Sequence, residues 1–272
     1  MTLGLLVALT GFASVAGATY SLPANLSVAW QGNVGVQGDI PTRTTIYKTL
    51  SPSGGNDTTA IQTAINDCPS GEVVYLNAGT FNVSSAIQLK SGVTLRGAGM
   101  GSTIIMGASG MSSAYVVGVG TSSSLGSSIN LSSTASKGST TITTSTSHGW
   151  SVGTIILIDE LNDTSGKYGP VVNNVGSDGT CTWCGRTSGT RSMGQMAKVT
   201  AVPSSQSATL EMPLYWTYNT GLTAQATAVS SPVTSAGLEN LTVDNESSNQ
   251  TNTVEMVGAS NCWLLGVEVI GS

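Results

Sequence analysis

Charge is scarce in this chain. Only 8% of its 272 residues are Asp, Glu, Lys or Arg, which excludes the Glu/Lys-rich profile of a soluble helical protein. A basic excess is missing too, with nine Lys and Arg against fourteen Asp and Glu and a net charge of −5. A nucleic-acid binder needs a basic surface to displace counterions, so no nucleic-acid partner is expected. The same balance gives no long-range attraction to an anionic polysaccharide. Such a ligand would need local Lys or Arg, or a bridging cation such as calcium. There is one histidine, His148, and there are four cysteines, Cys68, Cys181, Cys184 and Cys262. Cys181 and Cys184 have the spacing of half a zinc site or of a redox pair. No second close pair completes a zinc knuckle, and no βαβ pattern surrounds them, so they are read as a local disulfide pinning a Gly-rich loop, and no metal site is expected. Cys68 and Cys262 read as small buried hydrophobes, not paired with each other.

Long apolar runs are absent after the first eighteen residues, so no later segment spans a membrane. Residues 3–9 form a short apolar core, and Ala16-Gly17-Ala18 is a small-x-small cleavage pattern, although the positive charge of a leader is missing apart from the amino terminus. Residues 1–18 are therefore read as a signal peptide, too short for a membrane anchor. The protein is expected to be secreted, extracellular or periplasmic, with no membrane contact after cleavage.

What fills the composition is Gly, Ser, Thr and Asn, in a chain whose mean hydropathy is nevertheless +0.16. Disorder is disfavoured because strand-like apolar runs recur along the whole length. Residues 19–50 read as an extended lead-in. Asp57 is placed to cap a helix over 58–67, with Ala60, Ile61, Ala64 and Ile65 on one apolar face and Pro69-Ser70-Gly71 as its stop. Short strands follow: Val73-Val74-Tyr75-Leu76, Phe81 to Val83, Ile87-Gln88-Leu89, Val93-Thr94-Leu95-Arg96 and Thr103 to Met106. Each ends at a turn. Strands this short, with corners this frequent, suit a coil better than hairpins. Leu238, Leu241 and Val243 recur as Leu264, Val267 and Val269, each 26 residues later, which is the spacing of stacked rungs.

Residues 127–229 interrupt this pattern and read as an inserted antiparallel β module, with strands near 137–143, 153–158, 197–202 and 208–211. The expected organisation is a leader over 1–18, the lead-in over 19–50, a cap and first rungs over 51–126, the inserted module over 127–229 and further rungs over 230–272. The chain ends within a rung, so it is expected to be C-terminally truncated.

The run Gly55-Asn56-Asp57-Thr58-Thr59-Ala60-Ile61-Gln62-Thr63-Ala64-Ile65, with Gly71-Glu72-Val73-Val74-Tyr75-Leu76-Asn77-Ala78-Gly79-Thr80-Phe81, resembles the opening of pectate-lyase-superfamily proteins. That group includes rhamnogalacturonase- and polygalacturonase-like enzymes, epimerase-like domains and phage tailspikes. Val93 to Gly99 is similar to their second rung, and Gly138 to Ile158 with Lys198 to Leu214 is similar to a β insertion of some members. The resemblance implies an all-β, right-handed parallel β-helix whose first turn is capped by a short helix. It carries over no catalytic residue. The hydrolases' Asn-x-Asp, Asp-Asp and Gly-His-Gly patterns are missing, and His148 sits in a Ser-His-Gly-Trp turn.

Four residues remain as candidates for chemistry. Asp244 and Glu246 are either a solvated turn or a pair of groove-facing carboxylates fit for acid–base work on a glycosidic bond. Trp216 and Tyr218 are either packing where the module rejoins the coil or aromatic faces for sugar rings. Glu255 and Glu268 read as outward strand residues. The expected function is that of a secreted polysaccharide-active protein, a lyase or glycoside hydrolase on pectin-like plant or microbial polysaccharide, with its catalytic rungs outside this chain. The alternative is a non-catalytic carbohydrate-binding adhesin or spike-type β-helix, and a third reading is an epimerase on polymer uronates. A polysaccharide is the expected partner. No cofactor is evident, and calcium enters only if the protein is a lyase.

Overall fold

The computed structural model describes residues 35, 36, 38–111, 113–120, 125–168, 186 and 189–271. The leader at 1–18 and the Cys181–Cys184 pair lie outside the described residues.

After β1 (Ile46–Leu50) comes the helix α1 (Thr58–Asp67). Its buried face is Ile61, Ala64 and Ile65, which join the core of the strands that follow, while Ala60 is exposed. The expected Asp57 cap is corrected. The Asp57 carboxylate accepts the Ser53 amide at 2.9 Å and makes no bond to the helix. Its own N–H is tied to the Asn82 carbonyl at 2.8 Å, which holds this residue against the first rung. Asn56 takes over the capping role, its Oδ1 accepting the Thr58 N–H at 3.0 Å.

Short strands then wind upward: β2 (Val73–Leu76), β3 (Gly79–Val83) and β4 (Ile87–Leu89), then β5 (Thr94–Arg96), β6 (Thr103–Gly107) and β7 (Tyr115–Val119). Each pairs in parallel with its counterpart one turn later, β2 with β5, β3 with β6 and β4 with β7. Parallel neighbours that are also consecutive turns of one chain make a coil, a parallel β-helix. Inward side chains stack in ladders such as Val74–Leu95–Leu238 and Phe81–Ile105–Val243. Removing each such side chain from water contributes about 1.5–3 kcal/mol.

Between β7 and the next turn the chain builds an antiparallel sheet. Its strands are β8 (Leu125–Asn130), β9 (Thr141–Thr143), β10 (Ile155–Glu160), β11 (Met193–Ser204), β12 (Ser207–Leu210) and β13 (Gln225–Val229). Their order is β8-β13-β10-β11-β12-β9. One face has its own core of Ile142, Ile156, Ile158, Val199, Leu210, Leu214 and Tyr218.

The coil then resumes with β14 (Val233–Thr234), β15 (Gly237–Asp244) and β16 (Asn252–Met256), followed by β17 (Ala259–Ser260) and β18 (Trp263–Ile270). The first three residues of β15 pair with β5 and its last three with β6, so the antiparallel sheet does not interrupt the stack. The bend between those halves is Asn240, at φ 53°. One turn on, Leu238, Leu241 and Val243 face Leu264, Val267 and Val269, the 26-residue offset seen in the sequence. The corners repeat with it, Ser235 over Asn261 and Asn240 over Gly266, all four with positive φ. A Cβ on Gly266 would stand 2.6 Å from the Asn240 side-chain oxygen, so this corner requires glycine. On β18 the inward residues Leu264 and Val269 are 42% and 48% exposed, because nothing among the described residues stacks beyond them.

Candidate glycan-contact surface

The antiparallel sheet has two faces because its strands alternate. On β11, Gln195, Ala197 and Val199 point into the core, and Gly194, Met196 and Lys198 point outward. Antiparallel pairing sets Ile155 beside Lys198, Leu157 beside Met196 and Asp159 beside Gly194. On the other side of β10, Thr227 and Gln225 lie beside Leu157 and Asp159. From Ile155 to Asp159 is about 14 Å at the usual rise of an antiparallel strand.

One end of this track is a cleft of about 200 Å³. Ile155, Met196 and Lys198 form one side, with Glu211 and Met212 next to them. Pro232 and the corner Gly258–Asn261 of the coil form the other. Lys198 Nζ and Glu211 Oε1 are 3.2 Å apart at its edge. Tyr215, 39% exposed, donates its hydroxyl to Met212 Sδ at 3.4 Å and so lies against the cleft. Gln195 fixes that segment from below, with Oε1 accepting the Tyr215 N–H at 2.8 Å and Nε2 donating to the Pro213 carbonyl at 3.1 Å.

The other end is a pocket of about 220 Å³ lined by Leu157, Asp159, Arg186, Arg191, Ser192, Gly194 and Met196. Met196 therefore belongs to both ends. Asp159 is 1% exposed and holds two guanidinium groups. Arg186 grips it with Nε at 2.5 Å and Nη2 at 2.7 Å, and Arg191 Nη1 lies 2.9 Å away. Arg186 also donates to Ser128 Oγ and Gln225 Oε1, both at 2.7 Å. The hydrogen bond to Asp159 keeps the Arg186 guanidinium protonated further above its usual range. Gly194 leaves the floor between the two ends flat.

Glu160 points the other way, into the core. It accepts Trp216 Nε1–H at 2.8 Å and the Asn219 N–H at 2.6 Å. Burial pushes its carboxyl up, against those two bonds. Asp163 then organises the exit from β10. Its Oδ2 accepts the Tyr168 N–H at 2.6 Å, and its Oδ1 accepts from Ser165 and Gly166. The Tyr168 bond above all brings its carboxyl down to about 2. A depressed carboxyl contributes stability that is present above its unfolded value of 3.8 and is lost as pH falls through about 2. We expect the turn over 163–168 to loosen between those two pH values while the coil remains folded. Amide hydrogen exchange at Tyr168, compared between pH 5 and pH 2.5 after correction for intrinsic rate, measures this. Unchanged protection would refute it.

The four residues singled out in the sequence do not converge. Tyr218 is 1% exposed within the module core, so no sugar ring reaches it. Burial also raises the pKa of its phenol. Trp216 is half-buried against that core, its N–H committed to Glu160. Asp244 and Glu246 lie at the end of β15 in the coil, where Asp244 Oδ1 accepts the Glu246 N–H at 2.9 Å and closes a turn. Buried Asn245 holds the same turn through both Gln250 main-chain groups, each at 2.8 Å. Glu268 accepts the Thr242 hydroxyl at 2.6 Å, and Glu255 accepts from Asn252 at 3.1 Å. His148 stacks on Trp150 with ring centroids 4.4 Å apart and accepts the Trp150 N–H at 3.0 Å, a turn role. Cys68 and Cys262 are free. Among the described residues no three His, Cys, Asp or Glu side chains converge as a calcium cage would require. Sequence reasoning missed Arg186, Arg191, Gly194, Met196 and Tyr215. The inside–outside alternation along 193–200 was the available signal for Gly194 and Met196.

Residues 53–182 match the family model described as rhamnogalacturonase A/epimerase, pectate lyase-like. Among solved structures, the tailspike gp61 of Pseudomonas phage phi297 is similar, at a TM-score of 0.54 and 15% identity over 78% of this chain and 31% of the tailspike. The tailspike gp49 of Pseudomonas phage LKA1 is similar at 0.43 and 21% identity, over 74% of this chain and 31% of that one. The Gp54 tailspike of Acinetobacter baumannii bacteriophage AP22, solved with A. baumannii capsular saccharide, is similar at 0.43 and 13%, over 79% of this chain and 34% of that one. The chain thus spans about a third of the length of these tailspikes. The likeness to the first is one of fold. No curated protein is similar enough in sequence to count as a relative.

Proposed function

We propose that this chain, whose residues 53–182 carry a pectate lyase-like domain, is the glycan-contacting part of a spike- or adhesin-type β-helix protein, and that it binds polysaccharide along the outer face of its antiparallel sheet. The single observation behind this is the track from the Asn261 corner to Arg186. Its strand portion is about 14 Å long from Ile155 to Asp159, with the exposed Met196 thioether in its middle and cationic side chains at both ends. Pyranose rings offer the matching chemistry, apolar faces with polar edges. In the same reading the coil is right-handed, α1 caps its first turn, and residues 127–229 are an insertion that presents the contact face. Residues 1–18 direct export, and a local Cys181–Cys184 disulfide pins a Gly-rich loop.

Gly194 tests the surface directly. Its Cβ would meet the tip of Leu157 at 3.2 Å and, at ordinary contact distance, the Asp159 Cβ and the Ile158 carbonyl oxygen, both at 3.5 Å, and its backbone is not left-handed. A glutamine there projects into the track without breaking the sheet. We expect Gly194→Gln to weaken polysaccharide binding at least tenfold, about 1.4 kcal/mol, with an unchanged circular dichroism spectrum. Isothermal titration against a panel of soluble pectic, alginate, xylan and bacterial capsular polysaccharides provides the measurement. Equal binding by both proteins would place the contact elsewhere. The family model, described in terms of enzymes, favours a second reading, a lyase or glycoside hydrolase. Release of unsaturated or reducing ends in the same titrations, abolished by Glu246→Ala, supports that reading instead.

A further inference from the structure

We infer that the Arg186–Arg191 end of the track is an anion subsite, so that the glycan bound there carries an acidic substituent, a carboxylate or a sulfate or phosphate ester. This rests on the track being the glycan surface. It adds which ligands that surface selects, and it places the selection on the antiparallel sheet and not on the coil.

The argument starts from charge. Two guanidinium groups line one small pocket, and the carboxylate they share is that of Asp159. The other nearby acids are directed elsewhere. Glu160 faces the core and binds Trp216 and Asn219, and Asp163 is enclosed by the amides of Ser165, Gly166 and Tyr168. Among the described residues the pocket therefore carries more positive than negative charge. This is a local reversal in a chain with a net charge of −5.

Geometry supplies the second half. Asp159 is buried at the floor of the pocket, and its partner Arg186 keeps 19% of its side chain exposed. Four of the five Arg186 N–H groups are engaged by Asp159, Ser128 and Gln225, which holds the guanidinium rigid. That leaves at most one Nη1 N–H for an oxyanion oxygen, so the attraction comes mainly from the fixed positive charge, which costs little conformational freedom to use. Ser192 lines the same pocket, with its hydroxyl donating to the Gly189 carbonyl at 3.0 Å. The opposite end already balances Lys198 with Glu211 at 3.2 Å. A bound chain would thus run from a charge-neutral, thioether-lined end to a cationic one, which also sets its direction.

The test compares one polymer in two forms, a carboxylated polysaccharide that binds the intact chain and its carboxyl-reduced, neutral counterpart. A sulfated neutral glucan separates carboxylate from ester recognition. The acidic form should bind the unaltered protein at least tenfold more tightly than the neutral form, with a preference that shrinks as salt rises. Arg186→Gln should bring that ratio to within twofold. Arg186→Lys keeps the charge and loses the fork, and should leave an intermediate ratio; it also covers the case in which the glutamine variant does not fold. Lys48→Gln removes an equal charge from exposed β1, away from the track, and should leave the ratio unchanged. If acidic and neutral forms bind equally well and Gly194→Gln weakens both, the surface stands and the anion subsite is wrong. If Lys48→Gln lowers the ratio as much as Arg186→Gln, the preference is one of bulk charge and the subsite is again wrong. If neither form binds, the surface itself fails.

Discussion

Glu239→Ala is expected to cost about 3–5 kcal/mol of stability, the range for removing one partner of a buried ion pair. Glu239 is 3% exposed on β15 and serves two turns of the coil at once. Its Oε2 takes Arg96 Nε–H at 2.6 Å from the turn below, and its Oε1 takes Trp263 Nε1–H at 2.9 Å from the turn above. Arg43, from the segment before β1, closes the cluster. Its guanidinium lies 5.0 Å from the Trp263 ring centroid and donates to Thr94 Oγ1 and to the Ser235 carbonyl. Burial lowers the Arg43 pKa, and Glu239 works against that. Alanine would leave the Arg96 guanidinium and a buried indole N–H without their acceptor. Glu239→Gln retains an acceptor oxygen and should lose less. Urea unfolding of the three proteins gives the comparison. A loss below about 1 kcal/mol for alanine would mean that the cluster is ornamental. Gly237 belongs to the same cluster, since a Cβ there would lie 2.3 Å from the Trp263 ring.

Tyr218→Ala should cost about 3–5 kcal/mol as well, by the cavity it opens, and the loss should appear in a different part of the molecule. Tyr218 is among the largest fully buried side chains and packs with Ile142, Ile156, Ile158 and Leu214, none of which belongs to the core of the coil. We expect hydrogen exchange to rise first in β9 to β13 and later in β2 to β7. A uniform rise through both sets of strands would show that the two cores unfold as one unit.

These two positions mark how far the sequence could be read. The strands at Val73–Leu76 and Ile87–Leu89 were legible because short runs with apolar residues stand between turn-formers on either side. The 26-residue repeat was legible because parallel stacking sets like on like, and Leu238 does face Leu264. Even the bend in β15 left a trace. The spacing 238, 241, 243 breaks the strand period by one residue, and left-handed Asn240 is the residue that absorbs it. Polar partners were not legible. Glu239 meets Arg96 across 143 positions, and Asp159 meets Arg186 across 27, with no local pattern to announce either pair. Tyr218 stayed ambiguous for a related reason. An aromatic in a polar stretch fits packing or sugar contact until its fully buried neighbours Ile156 and Leu214 are known. Asp57 misled because a capping residue is assigned from local spacing, whereas its conformation follows from a hydrogen bond to Asn82, 25 positions away.

The adjacency of β5 and β15 has a bearing on the order in which the chain folds. Thr94 and Gly237 are partners in one parallel pair, although 143 positions separate them. If the stretch between them were flexible, closing so long a loop would slow the pairing. That stretch is not featureless, because β8 and β13 pair antiparallel, with Leu125 beside Val229. Once the antiparallel sheet has formed, the departure and return points are already neighbours. The effective loop between Thr94 and Gly237 then shrinks from 143 positions to the 31 that lead to Leu125 and the 8 that follow Val229. A sheet with its own core can form by itself and deliver β14 and β15 next to β5, which makes early folding of the insertion the low-entropy route to the later turns.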